Sequence, residues 1–584
     1  MTHGIAITGS GIVCAIGTDK ATVANSLRKG IGGVGTMQHL TSTHKELPVG
    51  EVMLSNDALK DALAINLQET ISRTTLLGAY ALKQAIEDAG LTAKQLNHKR
   101  VAFISGTTVA GMDITEQHYH GMTLGEQTAC QYIRQHDCGS NSNDIARLLG
   151  LECEITTIST ACSSALNAII VGTRMLLANE TDIVIAGGTE SLSTFHLNGF
   201  NSLMILDHKP CRPFDKTRQG LNLGEGAAYV VLERTDDIKR HVDIQAYIAG
   251  YGNRCDAFHQ TASSDNGEGA FLAMNDALTM ADIMPQDVDY INAHGTGTPN
   301  NDQTESAAIK RLFGNNTPPT SSTKAYTGHT TSASGSIETV ICLIAMQQGF
   351  TPTNLRWTEP DETCITPVAT ITPQPLHHVL CNAFGFGGND SSLLLSDVEK
   401  PLHDIIGSNT KIIAQSEVNT DEELSGLKEF ISPMESRRMG KLLKAALLTS
   451  LRCLKEANIE QPDAIIVATR FGQFDHAQQL LDTLSKNGEE GISPTLFMQS
   501  THNTIAGTLA IRLHCHGYNI TYSQGNASFD WALRDARKLL AEGKAKTVLV
   551  GWHDECPETF RRCFEIIGDN VPTPLYSKSI ILTQ

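Results

Sequence analysis

One cysteine, Cys162, lies in a segment that suits nucleophilic chemistry. It is the third residue of a Thr-Ala-Cys-Ser-Ser segment, 160–164, which follows the strand-like run 155–158 and precedes the helix-like run 166–177. A helix N-terminus offers unpaired backbone N–H groups and the positive end of the helix dipole, and both favour a thiolate. Free cysteines are nonetheless among the most buried residues and usually serve packing. The cysteine alone therefore does not establish catalysis.

Three later segments supply the groups that acyl transfer to a thiol needs. The first, 292–299, reads Asn-Ala-His-Gly-Thr-Gly-Thr-Pro and contains His294. The second, 324–329, reads Lys-Ala-Tyr-Thr-Gly-His and ends at His329. The third, 382–388, reads Asn-Ala-Phe-Gly-Phe-Gly-Gly. A single histidine is more often a core residue than a catalyst, but the cysteine segment and these three segments, in this order, are a highly specific pattern for acyl transfer to a thiol.

In these segments the chain resembles the β-ketoacyl-ACP synthases, the condensing enzymes of fatty-acid and polyketide synthesis, over about residues 3–398. The resemblance implies that Cys162 accepts the acyl group, while His294 and His329 promote decarboxylation of a malonyl thioester. No cofactor and no metal are implied. The resemblance therefore predicts an acyltransferase.

Further residues take their predicted roles from the same resemblance. Lys324 and Glu338 are expected to form a buried ion pair. Phe386 is expected to act as a gate, and its backbone N–H is expected to join that of Cys162 in an oxyanion hole. The residues expected at the substrate are Thr296, Thr298, Phe384 and Gly387.

The expected chemistry agrees with these residue types. Decarboxylation of a malonyl thioester places negative charge on the thioester oxygen, so it needs hydrogen-bond donors rather than a base. Two neutral imidazoles that donate Nε2–H meet this need. The resulting carbanion attacks the acyl group on Cys162, which is covalent catalysis with ping-pong kinetics.

The chain departs from many relatives beside the predicted chemistry. Asn389 and Asp390 follow the glycines of the third segment, and Gly297 stands where serine is common. Segments 195–200 and 291–302 look similar to synthases of aryl-polyene and flexirubin-type pigment clusters in Gram-negative bacteria. The resemblance therefore favours a pigment-type synthase, although a fatty-acid synthase stays open.

Composition restricts the class of protein. The 584 residues carry a net charge of −18, which argues against nucleic acid or an anionic membrane as partner. No run approaches the ~18 apolar residues of a membrane span, and the N-terminus does not read as a signal peptide, so the sequence predicts a cytoplasmic protein. The 14 cysteines are scattered, and neither a zinc site nor a disulfide framework is indicated. Because the chain itself is acidic, an acidic acyl carrier protein could dock only on a local basic patch.

The C-terminal region repeats the first part of the chain. Three pairs of matched positions are each 364 residues apart: Arg73 and Arg437, Cys162 and Asn526, and Gly187 and Gly551. Chance agreement of the offset at three separated places is improbable. Asn526 stands in place of the nucleophile, and because its amide cannot form a thioester, the copy is expected to be inactive.

Alternating apolar strands and amphipathic helices, the latter over 75–89, 164–178 and 267–281, indicate an α/β fold. The resemblance implies a thiolase-like fold with two α/β halves stacked in five layers. The expected units are an N-terminal half (1–240), a C-terminal half (241–400), a linker (401–419) and a degenerate half-ketosynthase domain (420–584).

Three functions are weighed. The first is an elongating β-ketoacyl-ACP synthase, a homodimer or a heterodimer with another ketosynthase-like subunit. The second is a chain-length or scaffold subunit whose partner performs condensation. The third, thiolase-like cleavage, needs a second cysteine where this chain has Gly385 to Gly388. Intact Cys162, His294 and His329 favour the first function. The half-domain is expected to cover an apolar face of its own synthase unit or of a partner.

Overall fold

The fold is described from a computed structural model covering residues 2–407 and 409–584. Fifteen strands form one sheet, which we divide into three units. The N-terminal half contributes five strands in a row. In sheet order they are Ile5–Cys14, Gly226–Arg234, Ile183–Glu190, Val101–Gly106 and Glu154–Ile158. Its helices are Lys20–Lys29, Asn56–Ala62, Arg73–Asp88, Ala93–Leu96, Met112–Leu124, Gln127–Cys130, Cys138–Leu148, Ser164–Leu177 and Thr194–Ser202.

The C-terminal half of the synthase unit joins the outer edge of this row. Its strands, in sheet order, are Thr320–Ser321, Tyr290–Asn292, His378–Gly385, Asn389–Ser396 and Ala246–Cys255. Its helices are Glu268–Ala281, Pro299–Phe313, Lys324–Thr327 and Ser334–Gln348.

The half-domain joins the opposite edge. Its strands, in sheet order, are Tyr518–Tyr522, Ala464–Ala468, Thr547–Glu555, Leu575–Thr583 and Lys411–Val418. Its helices are Pro433–Ser436, Lys441–Ala457, Phe474–Asn487, Pro494–Ser500, Thr504–Leu513, Ser528–Ala541 and Glu558–Ile566.

Two buried helices form the central layer of the synthase unit. Ser164–Leu177 is buried at every position and packs on the N-terminal sheet strands. Ser334–Gln348 packs against it and against the strand His378–Gly385. Apolar and small residues at nearly all positions suit a helix that is covered on every side. The three predicted helices are confirmed, with observed bounds of Arg73–Asp88, Ser164–Leu177 and Glu268–Ala281.

The half-domain packs on its own synthase unit. Strands Glu154–Ile158 and Tyr518–Tyr522 meet antiparallel at Ile158 and Tyr522, and the strand pattern outward from this contact is the same on both sides. The contact is reinforced by a buried ion cluster, in which Arg174 contacts Asp535 and its Nε lies 2.7 Å from Glu542 Oε1. The copy therefore lies where an approximate twofold axis relates it to the N-terminal half.

Helix Ser528–Ala541 differs in exposure from its counterpart in the N-terminal half. This helix corresponds to Ser164–Leu177 at the 364-residue offset but has exposed positions, including Asp530 and Arg537. Asp530 stands where the counterpart has the buried apolar Leu166, and Arg537 stands where it has the buried Thr173. Charged residues on this side of the helix suit contact with solvent.

One predicted boundary and one predicted residue match differ from the structure. Strand Lys411–Val418 pairs with Leu575–Thr583, so the half-domain begins at Lys411 rather than at residue 420. The predicted match of Arg437 with Arg73 is also wrong. Arg73 is buried and paired with Glu225 at 2.6 Å, whereas Arg437 is exposed and the following helix begins only at Lys441. Without a buried carboxylate partner, an arginine stays in solvent.

Among the described residues, no helix combines the length and apolarity that a membrane span requires.

Candidate active site

Cys162 lies in a short 3-10 turn between a strand and a helix. The turn, Ala161–Ser163, leads directly into the helix that begins at Ser164. The Ser164 hydroxyl accepts the Thr160 N–H at 2.9 Å and donates to the Ala161 carbonyl at 2.7 Å. Ala161 has a φ of 53°, an unfavourable value for a residue with a Cβ. The sharp turn places the sulfur at the end of a cavity, where the residue is 5% exposed.

Two histidines from the other half face this sulfur. His329 Nε2 lies 3.1 Å from Cys162 Sγ, and His329 Nδ1 lies 3.0 Å from the Ser334 hydroxyl oxygen. The His294 ring centre lies 5.3 Å from that of His329. One ligand atom from each of the three residues lies within 4.8 Å of the others. The two sequence segments and the cysteine therefore converge on one point.

A buried carboxylate holds the His294 loop. Glu305 accepts the backbone N–H groups of His294 and Gly295 at 2.8 and 2.7 Å. Burial raises the pKa of the Glu305 carboxyl to about 7, although these two donors oppose the rise. Glu305 is thus a positioning residue for His294.

Burial sets the protonation of all three groups. It holds the pKa of His294 and of His329 well below the usual value, and the positive charge of Lys324 adds to the effect. Both rings are therefore neutral, as predicted. Burial also raises the pKa of the Cys162 thiol to about 11, against the opposing effects of Lys324 and of the Phe386 and Cys162 N–H groups. The Cys162 N–H at the helix start lowers this pKa, as predicted, but desolvation by burial is the larger effect and leaves Cys162 as a thiol.

The predicted ion pair is present. Lys324 Nζ lies 2.6 Å from Glu338 Oε1, and both side chains are buried. Burial raises the pKa of Glu338 to about 7, while Lys324 opposes this rise. The Lys324 charge lowers the pKa of both imidazoles.

The glycine-rich loop brings Phe386 to the sulfur. Gly387 and Gly388 have φ values of 81° and 74°, which favour glycine. The N–H groups of Phe386 and Cys162 both stabilise the Cys162 thiolate, as expected for donors that converge on one point. The Phe386 ring stacks on Phe200 with centres 5.8 Å apart.

Thr296 and Thr298 lie on the loop that follows His294, and Phe384 packs near the His294 ring. The hydroxyl oxygens of Thr296 and Thr298 are 2.9 Å apart, and Thr296 is buried. The Phe384 ring centre is 5.9 Å from that of His294.

Family models match three parts of the chain. The β-ketoacyl synthase N-terminal domain matches residues 2–238, and the β-ketoacyl synthase C-terminal domain matches residues 245–358. A second N-terminal-domain model matches residues 413–575. The chain belongs to the β-ketoacyl synthase family. It is an acyl-transferring condensing enzyme with a second, ketosynthase-like unit.

Individual relatives agree with this membership. A 3-oxoacyl-[acyl-carrier-protein] synthase 2 of Coxiella burnetii is 33% identical over 414 residues, which is 68% of this chain and 98% of the relative. Nodulation protein E of Rhizobium meliloti (strain 1021) is 32% identical over 408 residues, 68% of this chain and all of the relative.

Solved structures cover the synthase unit or the whole chain. A ketosynthase (ApeO) in complex with its chain length factor (ApeC) from Xenorhabdus doucetiae is 33% identical, with a TM-score of 0.58 over 68% of this chain and 98% of that chain. The PfaC keto synthase–chain length factor has a TM-score of 0.79 and covers 100% of this chain and 78% of that chain. Its 17% identity supports the fold alone.

In this synthase the half-domain also contributes to the cavity at Cys162. Asn503 donates to the Phe386 carbonyl at 2.8 Å, and Gly507 packs closely on Gly387. The cavity has a free volume of about 50 Å³, the room of a few water molecules. Its half-domain lining residues are Phe471, Ala477, Phe497, Ser500, Thr501 and His502.

Sequence reasoning missed these half-domain residues. The copy lacks a nucleophile, so its side chains did not draw attention as site residues. The 364-residue offset pairs His502 with Cys138, and the two side chains do meet, with Nε2 3.7 Å from Sγ. Two residues that an approximate twofold axis relates can contact each other only if both lie at that axis. The match of His502 with Cys138 in the repeat could therefore have identified His502 as an interface residue.

Proposed function

We propose that this synthase transfers an acyl group from an acyl carrier protein to Cys162 and condenses it with the carbanion of a malonyl group. The contact between His329 Nε2 and Cys162 Sγ, at 3.1 Å beside a second neutral histidine, carries the proposal. The product is a β-ketoacyl thioester on the carrier protein. The proposed site of action is the cytoplasm.

The first step forms a thioester on Cys162. Its sulfur attacks the acyl carbonyl, the bond to the carrier thiol breaks, and the proton of Cys162 passes to the released thiol. The oxyanion forms near the N–H groups of Cys162 and Phe386, which act as preorganised donors. Because the resting thiol has a pKa of about 11, it attacks only as the proton leaves.

The second step releases carbon dioxide. Negative charge moves from the malonyl carboxylate to its thioester oxygen, where Nε2–H of His294 and His329 donate. The Ser334 hydroxyl donates to His329 Nδ1 in this tautomer and so leaves Nε2 protonated. The carbanion then attacks the acyl carbonyl on Cys162, and the cysteine sulfur leaves as a thiolate that takes a proton from water to restore the thiol.

We place carrier docking beside Thr296 and Thr298. The segment 211–220 runs close to Gly297, between these threonines, where an added Cβ would lie 2.8 Å from the Gly220 carbonyl oxygen. Lys216 in this segment and Lys209 just before it are exposed. In a chain with a net charge of −18, this local basic segment offers a complement to an acidic carrier protein.

The half-domain is proposed to set the room for the acyl chain. Its side chains form one wall of the cavity, and only a few water volumes are free, so Phe386 and its neighbours must move when a chain enters. The half-domain also occupies the face of strand Glu154–Ile158, so no separate ketosynthase-like subunit is needed there. The alternative of a purely scaffolding chain gains no support, because the cysteine and both histidines are intact. The pigment-type subfamily stays a prediction.

Mass spectrometry of the full chain with acyl- and malonyl-loaded carrier proteins tests the proposal. The wild-type protein is expected to gain one acyl mass at Cys162 and to form an elongated product. Cys162→Ala should gain none while keeping its thermal unfolding profile. Acyl adducts that persist on this variant would contradict the assignment.

A further inference from the structure

His502 stands out in the cavity wall because one of its ring nitrogens is unpaired. The residue comes from the half-domain, is 8% exposed, and lines the same cavity as Cys162. Its Nε2 lies 3.7 Å from Cys138 Sγ. Its Nδ1 is buried and has no hydrogen-bond partner within residues 2–407 and 409–584. Burial lowers the pKa of His502 to about 4, so the ring is neutral.

Aromatic side chains form much of the cavity wall around His502. Phenylalanines from both units line the cavity, among them Phe195, Phe386 and Phe497. Two other histidines, His136 and His196, also line the cavity, and Nδ1 of His136 lies 3.3 Å from the Thr115 hydroxyl oxygen. Among the described residues, two buried polar atoms of the lining have no partner: the Thr331 hydroxyl, beside the cysteine in the synthase unit, and His502 Nδ1, in the wall that the half-domain contributes.

An alkyl chain would leave that nitrogen unpaired. Burying a polar atom without a partner is unfavourable, and a site built to pair with a polar group rejects an analogue that lacks it. A chain that carries a polar group at the matching distance from the thioester would satisfy Nδ1.

The chemistry of the ring narrows the class of polar group. If the Cys138 thiol donates to Nε2, then Nδ1 carries the proton and donates. If Nε2 carries the proton, then Nδ1 accepts. A hydroxyl group satisfies both tautomers, because it donates and accepts, whereas a carbonyl satisfies only the first.

We propose that His502 binds a hydroxyl group on the distal part of the acyl chain held by Cys162, so that the synthase prefers hydroxylated acyl groups to alkyl groups of the same length. This inference rests on the proposed acylation of Cys162. It makes His502 a specificity-determining residue contributed by the inactive copy.

A matched series of acyl carrier substrates tests the inference. Each chain length is supplied in two forms, one ending in a hydroxyl and one ending in a methyl group of similar size. The rate of acylation of the full-length protein is followed by intact-protein mass spectrometry. We expect the wild type to favour the hydroxylated member by about tenfold or more at one chain length.

Three variants separate recognition from packing. His502→Leu should reduce the ratio at that length to about one and should speed acylation by the methyl-ended chain. His502→Gln should retain part of the preference, because the amide also donates and accepts. Phe497→Leu changes the volume of the same wall without removing a polar atom, so its ratio should stay near the wild-type value.

The results distinguish this inference from the proposed function. Equal rates for both members at every length in the wild type would overturn it, as would a preference that survives in His502→Leu. In both cases acylation of Cys162 still occurs, and the proposed function stands. Absence of acylation by any chain would overturn both proposals. Thermal unfolding of each variant, together with its acylation by the methyl-ended chain, shows that the protein is folded.

Discussion

Replacement of His294 by alanine is expected to separate the two half-reactions. The ring of His294 lies beside His329 and Phe384, but the contact with Cys162 Sγ is made by His329 Nε2. Removing the His294 ring therefore leaves the sulfur, its histidine contact and the two N–H donors in place. Acylation should continue, whereas decarboxylation loses one of its two donors.

The size of the effect follows from the loss of one preorganised donor. Such a loss costs about 10²–10³ in kcat, or roughly 3–4 kcal/mol of transition-state stabilisation. The buried setting favours the upper part of this range, because Lys324 and the low exposure of His294 keep the site dry and the ring neutral. We therefore expect release of carbon dioxide to fall by about three orders of magnitude.

Two assays on the same preparation check this prediction. Intact-protein mass spectrometry follows acylation of Cys162, and release of labelled carbon dioxide from malonyl carrier protein follows the second step. His329→Ala is the comparison, because this variant also removes the sulfur contact and should slow both steps. Normal carbon dioxide release by His294→Ala would show that another group stabilises the enolate, and loss of acylation would refute the separation of roles.

Three further predictions concern the thiol, the docking surface and the interface between units. Because the Cys162 pKa is about 11, its alkylation rate should rise about tenfold per pH unit from pH 7 to 10, and a plateau below pH 9 in alkylation kinetics would contradict this. The double variant Lys209→Glu, Lys216→Glu should raise KM for the carrier protein about tenfold with little change in kcat. Lys546→Glu, at an exposed lysine outside this segment, is the control. A KM of the double variant equal to that of the wild type would show that the basic segment does not bind the carrier protein. Asp535→Ala breaks a buried ion pair and should lower the free energy of unfolding by about 3–5 kcal/mol in urea titrations, and a loss below 1 kcal/mol would mean that the pair contributes no more than a surface pair.

The sequence was sufficient to predict those features that depend on residues close together in the chain. The apolar pattern located the helices Arg73–Asp88 and Ser164–Leu177, whose predicted bounds of 75–89 and 164–178 differ from the observed ones by at most two residues. The four motif segments were sufficient to predict the convergence of Cys162, His294 and His329, because a family's motif order carries the tertiary arrangement with it. The repeat offset located the half-domain.

Other properties depend on what surrounds a residue after folding. The acidity of Cys162 could not be predicted from its place at a helix N-terminus, because burial raises its pKa by more than Lys324 and the backbone N–H groups lower it. The different settings of Arg73 and Arg437 likewise depend on whether a carboxylate lies opposite in space.

The sequence by itself determined the family, the reaction groups and the existence of an inactive second copy. Only the tertiary structure decided that this copy packs on its own synthase unit and that His502 reaches the cavity of Cys162. The reason is physical: motifs and periodicity are properties of neighbouring residues, whereas desolvation and the pairing of polar atoms depend on residues hundreds of positions apart that the fold brings into contact.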